Sequence, residues 1–273
     1  MNQRIVLLTG ASSGIGKEIA RQLVQRGDFP ILVARKADPL KRLTEELGSC
    51  DFFPCDVTQQ KQVHRLAEEV IARYGRVDVL INNAGYGRFG GLMDLSISDY
   101  EGMMETNYLG TVRLTRAVLP HMFRRGAGRI INIASVAGLT GSPNLGAYSA
   151  SKFALIGFSE SLRLESAPLI QVGVLCPGPV QTPFFRGTDP SQLFPGWIVS
   201  QLLDAHTVAR YAVRMIDRPR LKVIPRRMSW AVKVRNIAPE FYMWATKKMY
   251  ESFQRKKRMT TVYESNGPSR SGR

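Results

Sequence analysis

The chain has 273 residues, 44% of them hydrophobic, enough for one substantial buried core, and a formal net charge of +16. Cys50, Cys55 and Cys176, like His64, His121 and His206, are scattered without metal-ligand spacing, so neither a disulfide scaffold nor a metal centre is expected, and a reducing, cytoplasmic setting suits the thiols. No stretch approaches the roughly 20 uninterrupted apolar residues of a spanning helix, and no basic-then-apolar leader precedes the first strand, so secretion and a transmembrane anchor are not expected.

Short runs rich in Val, Ile and Leu alternate with longer helical patterns, which predicts an α/β fold: a doubly wound parallel sheet of about seven strands with helices on both faces. The predicted strands cover 4–9, 30–34, 51–55, 77–82, 129–134, 170–176 and 221–225. There is no internal repeat, and no linker interrupts residues 1–258, which reads as one domain. Residues 259–273 are polar and are expected to form a disordered tail.

The first strand runs into Thr9-Gly10-Ala11-Ser12-Ser13-Gly14-Ile15-Gly16, followed by a helical stretch from Lys17. Glycines let the backbone turn tightly and approach a pyrophosphate, whose charge then sits at a helix N-terminus where amide hydrogens are unpaired. The spacing is Gly10, Gly14, Gly16 and not Gly-x-Gly-x-x-Gly. Further on, Tyr148-Ser149-Ala150-Ser151-Lys152 places a phenol and an ammonium one helical turn apart on the same face. A free phenol has a pKa near 10, and a nearby cation that stabilises the phenolate makes it a usable acid at neutral pH.

Together these segments resemble the short-chain dehydrogenase/reductase family, and further motifs match in chain order over most of the first two hundred residues. Asn82-Asn83-Ala84-Gly85 follows one apolar strand, Asn107 lies in Thr106-Asn107-Tyr108-Leu109-Gly110, Ser135 follows the strand ending at Ala134, and Pro177-Gly178 follows the strand ending at Cys176. The resemblance implies a Rossmann fold and a hydride-transfer enzyme. It makes Tyr148 the proton donor, Lys152 the group that lowers the Tyr148 pKa and holds the nicotinamide ribose, Ser135 a hydrogen-bonder of the reacting oxygen, and Asn107 the support of a relay water. It also places Gly10, Ser12, Ser13, Gly14, Ile15 and Gly16 at the pyrophosphate, Asp56 with Val57 at the adenine, and Asn83, Ala84 and Gly85 along the adenosine. Pro177, Gly178, Val180 and Thr182 are placed at the cofactor, with Val180 and Thr182 meeting the carboxamide. A homodimer or homotetramer is the family's usual assembly.

After the second strand come Arg35 and Lys36, with no carboxylate where a ribose diol would bind. A guanidinium suits a 2′-phosphate that a carboxylate would repel, so NADP(H) is the expected cofactor. The family's substrate lid corresponds to residues 183–205, where Phe184, Phe185, Leu193, Phe194, Trp197, Ile198, Leu202 and Leu203 favour a hydrophobic or lipid-like alcohol or ketone. A 3-oxoacyl-thioester reductase is the alternative enzyme, and a catalytically silent NADP-sensing or scaffold protein the alternative of another class. Residues 226–258 carry ten Lys or Arg against Glu240 and Glu251, interleaved with Trp230, Val234, Ile237, Phe241, Trp244, Met249 and Phe253. That composition reads as a basic amphipathic extension, begun anew as a helix at Pro239, that lies on an anionic membrane surface or covers a cleft or partner subunit. Nucleic-acid binding is not expected, since no recognition motif accompanies the charge.

Overall fold

The computed structural model describes residues 3–182, 184 and 196–265, leaving aside the side chains of 197 and 256–265. Its strands are β1 (Ile5–Thr9), β2 (Phe29–Ala34), β3 (Asp51–Pro54), β4 (Val79–Asn82), β5 (Gly128–Ile133), β6 (Ile170–Pro177), β7 (Val180–Gln181), β8 (Leu203–Asp204) and β9 (Leu221–Ile224). Seven of them form one parallel sheet in the order β3-β2-β1-β4-β5-β6-β9, and all seven predicted strands are present within two residues of their expected ends. The short β7–β8 pair, joined through Val180 and Leu203, has too few residues to leave a periodic signal and was not anticipated.

The helices are α1 (Gly14–Gln25), α2 (Ala37–Leu47), α3 (Gln60–Tyr74), α4 (Ile97–Met104), α5 (Gly110–Arg125), α6 (Gly146–Ser166), the single turn α7 (Gly196–Val199), α8 (Ala205–Met215), α9 (Arg226–Ile237) and α10 (Pro239–Ser265). Strand alternation explains why both sheet faces are covered. Val6 and Leu8 of β1 pack with Ile19 and Leu23 of α1 and with Val208 and Ala212 of α8. Ile5 and Leu7 point the other way, into a core with Val63, Leu66 and Val70 of α3, Leu114 and Val118 of α5, and Leu162 of α6. Each of the Val, Leu and Ile side chains among them, removed from water, contributes about 1.5–3 kcal/mol of transfer free energy. The central strands are buried on both faces, which is why they read as unbroken apolar runs.

The strand order reverses between β1 and β4, so the loops after these two strands part at the sheet's carboxyl edge and open a crevice. The glycine turn follows one strand and Asn83–Gly85 the other.

The chain divides into two compact units, one ending at Ser229 and one beginning at Trp230. Where the sequence reads as one domain to residue 258, the structure draws its boundary earlier, because the sheet and its covering helices are complete once β9 is laid down. The second unit contains most of α9 and all of α10, whose first residue is Pro239 as expected. Helix α10 continues to Ser265, so residues 259–265 are helical where a disordered tail was expected. The expected amphipathic separation is also absent from α9: the Lys233 ammonium lies 5.1 Å from the centre of the exposed Trp230 ring, so cation and aromatic share a side. Of the lid, Phe185, Leu193, Phe194 and the Trp197 side chain lie outside the described residues. Among those described, no helix is long and apolar enough to cross a membrane.

Candidate active site

At the crevice, Gly10 has φ +66° and Gly14 φ +52°, backbone that side-chain-bearing residues rarely adopt. A Cβ on Gly16 would stand 2.0 Å from the Gly10 carbonyl oxygen, so this close approach of helix to turn requires glycine. Thr9 and Asn83 hold the turn against the end of β4. The Thr9 Oγ1 accepts hydrogen bonds from the Asn83 and Ala84 amides, both at 3.0 Å, and Asn83 Nδ2 donates to the Thr9 and Gly10 carbonyls at 3.1 and 3.2 Å. Asn83 is thus a brace of the turn, and Thr9, which the sequence motif does not mark, is its partner. Ser13 is the N-cap residue of α1 but makes no capping side-chain hydrogen bond, and the first turn holds no acidic residue. The helix therefore presents its amino end and partial positive charge to the crevice without an acidic side chain of its own. Those features fit a dinucleotide pyrophosphate.

Arg35 and Lys36 are exposed just past β2, beyond Val33, whose carbonyl accepts from the Ala11 amide of the glycine turn at 3.2 Å. Asp56 uses Oδ1 to accept from the Thr58 amide and hydroxyl at 2.9 and 2.8 Å, a local turn and not the cap of α3, whose N-cap is Gln59. Val57 is buried against Gly110, where a Cβ would come within 2.7 Å of Val57 Cγ2.

The second cluster assembles from three elements. Helix α4 passes into α5 through a π-helical turn, Glu105–Leu109, that turns Asn107 inward until it is fully buried. Its side-chain amide pairs with the Tyr86 backbone, accepting at 2.9 Å and donating at 2.8 Å, and Nδ2 also donates to Ser151 Oγ at 2.9 Å. Ser151 in turn donates to the Tyr148 carbonyl at 2.7 Å, which ties the π-turn to α6. Gly85 closes the floor: a Cβ there would lie 2.9 Å from Asn107 Oδ1 and 3.5 Å from Lys152 Nζ. Lys152 Nζ donates to the Ile133 carbonyl at the end of β5, at 2.9 Å, and the side chain is 4% exposed.

Tyr148 shares a hydrogen bond with Ser135, whose Oγ also accepts from the Ala137 amide at 3.1 Å and donates to the Pro177 carbonyl at 3.4 Å. Ser135 is therefore both the cap of a short 3-10 turn and a neighbour of the phenol. Gly178 accepts no side chain, since a Cβ would meet Met228 Sδ at 2.5 Å, and its amide donates to the Ile224 carbonyl. Val180 is buried, while Thr182 Oγ1 accepts from the Phe184 amide at 3.4 Å. The Phe184 ring meets the Tyr148 ring edge-on with centroids 5.3 Å apart. Gly87, unmarked by the family motifs, lets this happen: a Cβ there would approach Phe184 Cζ at 2.6 Å and Tyr148 Cδ2 at 3.1 Å.

Burial pushes the Tyr148 phenol up to about 12, with Ser135 pulling it back. Burial likewise brings the Lys152 ammonium down to about 8, countered by the nearby Cys176 thiol. Lys152 Nζ stands 5.8 Å from the centre of the Tyr148 ring and bonds a carbonyl, so in this arrangement Ser135 is the neighbour that favours the phenolate. Cys176, fully buried beside the pair, is itself raised to about 12 by burial and is held as an inert thiol.

A family model described as short chain dehydrogenase matches residues 4–192. The chain belongs to that family. Among curated proteins it is similar to a 3-ketodihydrosphingosine reductase of Bacteroides thetaiotaomicron, 42% identical over 71% of this chain and 70% of that one. It also resembles the human dehydrogenase/reductase SDR family member 7, 40% identical over 67% of this chain but only 57% of the relative's length. Two solved structures share its architecture. ElxO with NADP bound is 28% identical with a TM-score of 0.76, over 82% of this chain and 97% of that one. A short chain dehydrogenase/reductase from Burkholderia phymatum in complex with NAD is 25% identical with a TM-score of 0.79, over 88% and 95%. Solved relatives thus carry either nicotinamide cofactor.

Proposed function

We propose that the protein is an NADP(H)-dependent oxidoreductase that interconverts a secondary alcohol and a ketone on a hydrophobic, lipid-like substrate. The observation that carries this reading is the meeting of Tyr148, Ser135, Lys152 and Asn107 beside a glycine-built crevice, with the Phe184 ring against the phenol. The nicotinamide, when bound, supplies or accepts the hydride at the substrate carbon. In the reductive direction Tyr148 Oη gives its proton to the oxygen that gains charge, and Ser135 Oγ, already bonded to the phenol, hydrogen-bonds that oxygen. Lys152, charged at neutral pH with one of its three N–H donors on Ile133, keeps donors for the ribose and for the phenolate left by proton transfer. Asn107 ties the Tyr86 backbone to Ser151, the residue before Lys152.

Arg35 and Lys36, exposed past β2 where no carboxylate stands at either position, support NADP(H) over NAD(H). Apolar character supports the substrate class: Phe184 forms a wall at Tyr148, and the loop from Gly87 carries Leu92 and Met93, 76% and 91% exposed. That loop is pinned to the approach to α6 by the Gly90 amide donating to the Asn144 carbonyl at 2.9 Å. The Bacteroides relative, by its name, reduces a 3-keto compound of this kind.

The test is NADPH oxidation with a panel holding 3-ketodihydrosphingosine, medium-chain alkyl ketones, a 3-oxoacyl thioester and a keto sugar. Turnover is expected with the lipid-like ketones, falling by about 10²–10⁴-fold in Tyr148→Phe. NADPH binding without turnover of any member would instead make the protein a cofactor sensor, and preference for the thioester would make it an acyl-chain reductase.

A further inference from the structure

We infer that the helical unit beginning at Trp230 is a docking surface for anionic lipid bilayers. Its exposed large apolar residues are Trp230 at 69%, Ile237 at 84%, Phe241 at 59%, Met243 at 59% and Trp244 at 57%. These are five of the twelve exposed large hydrophobic residues among those described, gathered within fifteen positions, a density that scattered surface residues do not reach. The same unit is strongly basic: residues 230–258 hold eight Lys or Arg against two Glu, +6 of the whole chain's net charge of +16. Lys233, Lys247, Lys248 and Arg255 are exposed.

The arrangement of these side chains selects the occupant. Lys233 lies over the Trp230 ring at 5.1 Å, and Phe241 stacks with Trp244 at 5.9 Å and 27°. Cations mixed among indole and phenyl rings match the headgroup level of a bilayer, where phosphate and the first methylenes lie within a few ångströms of one another. Single-stranded nucleic acid also takes cations and aromatic platforms. It has no use for Ile237 and Met243, aliphatic side chains that partition into acyl chains and do not stack on bases. A second copy of this chain would bring like charges face to face. The bilayer is the partner that satisfies the rings, the aliphatic pair and the charge together. The inference stands independently of the reductase reading.

Co-sedimentation of the full chain with phosphatidylcholine vesicles, with and without one-third phosphatidylserine, tests it. The parent pellets with the anionic vesicles, at least tenfold less with the neutral ones, and is released by high salt. A Trp230→Ala, Phe241→Ala, Trp244→Ala triple variant loses at least tenfold in vesicle binding while retaining NADPH binding, the check that its catalytic unit is folded. A Trp230→Phe, Trp244→Phe double variant keeps vesicle binding but loses the blue shift of tryptophan emission that the parent shows on adding lipid. Equal pelleting of the parent and the triple alanine variant would overturn the docking surface. So would tighter binding to a single-stranded oligonucleotide than to vesicles. Absence of vesicle binding together with dissociation of an oligomer in the triple variant would assign the surface to a second copy instead.

Discussion

Lys152 is a charge held where a charge is disfavoured. Its pKa, about 8, lies below the ordinary value of 10.5, with burial as the first cause. Between those two pH values the unfolded chain binds more protons than the folded one, so this group makes stability rise with pH across that window. The cost of burying the ammonium, ~3 kcal/mol, is fully present below the lower value. Comparing urea unfolding of the parent with Lys152→Met, whose side chain keeps the volume and drops the charge, should expose this cost. The variant's stability relative to the parent is expected to fall by about 3 kcal/mol between pH 7 and pH 10.5, and a difference independent of pH would show that the lysine titrates in the folded protein as it does in the unfolded one. On the proposed function, NADPH-dependent turnover is expected to be lost in the variant at every pH. The identity of this residue was legible from its four-residue spacing to Tyr148. Its bond to the Ile133 carbonyl was not, because β5 and α6 meet only in the folded chain.

At the scale of elements, α5 and α6 are joined through the sheet by a buried chain of hydrogen bonds. Asn82 Nδ2 on β4 donates to Thr115 Oγ1 of α5 at 3.3 Å and to Asn132 Oδ1 of β5 at 2.9 Å, and Asn132 Nδ2 donates to Ser159 Oγ of α6 at 2.7 Å. All four side chains are at most 3% exposed. Ser159 lies seven positions, two helical turns, beyond Lys152, so this chain fixes the helix that carries Tyr148 and Lys152. Asn132→Ala removes one bond from the Asn82 amide, which keeps Thr115, and one from the Ser159 hydroxyl, which keeps the Leu155 carbonyl, at about 0.5–1.5 kcal/mol per lost bond. In a double-mutant cycle with Ser159→Ala, measured by urea unfolding, the two changes are expected to be non-additive by about 0.5–3 kcal/mol. Strict additivity would mean the bond contributes nothing. Asn82 was visible as the first residue of a motif, but Asn132 sits in a strand whose neighbours are apolar, and nothing local marks it. The π-helical turn at Asn107 was equally hidden, since an inserted residue shifts the helical phase without changing composition.

For the whole molecule, the crevice between the glycine turn and β4 couples cofactor binding to global unfolding, because a ligand bound only by the folded chain stabilises it by mass action. NADPH at about a hundred times its Kd adds ~2.7 kcal/mol, or roughly 5–10 °C in Tm for a domain of this size. NADH at the same concentration is expected to give a smaller rise, and Arg35→Ala with Lys36→Ala should bring the two to the same value. Equal shifts in the parent would remove the NADP preference. The sequence by itself determined the parallel α/β sheet, since strands buried on both faces must be apolar throughout and helices that cover them must carry a 3.6-residue period. It also marked the glycine turn and the Tyr148–Lys152 pair, whose chemistry depends on residues close together in the chain. Only the tertiary structure decided how these parts meet. Thr9 clamping Asn83, Gly87 admitting Phe184 to the phenol, Ser135 bonding Tyr148, and the boundary after Ser229 all arise where segments distant in sequence are packed together, and no local pattern of residues encodes such contacts.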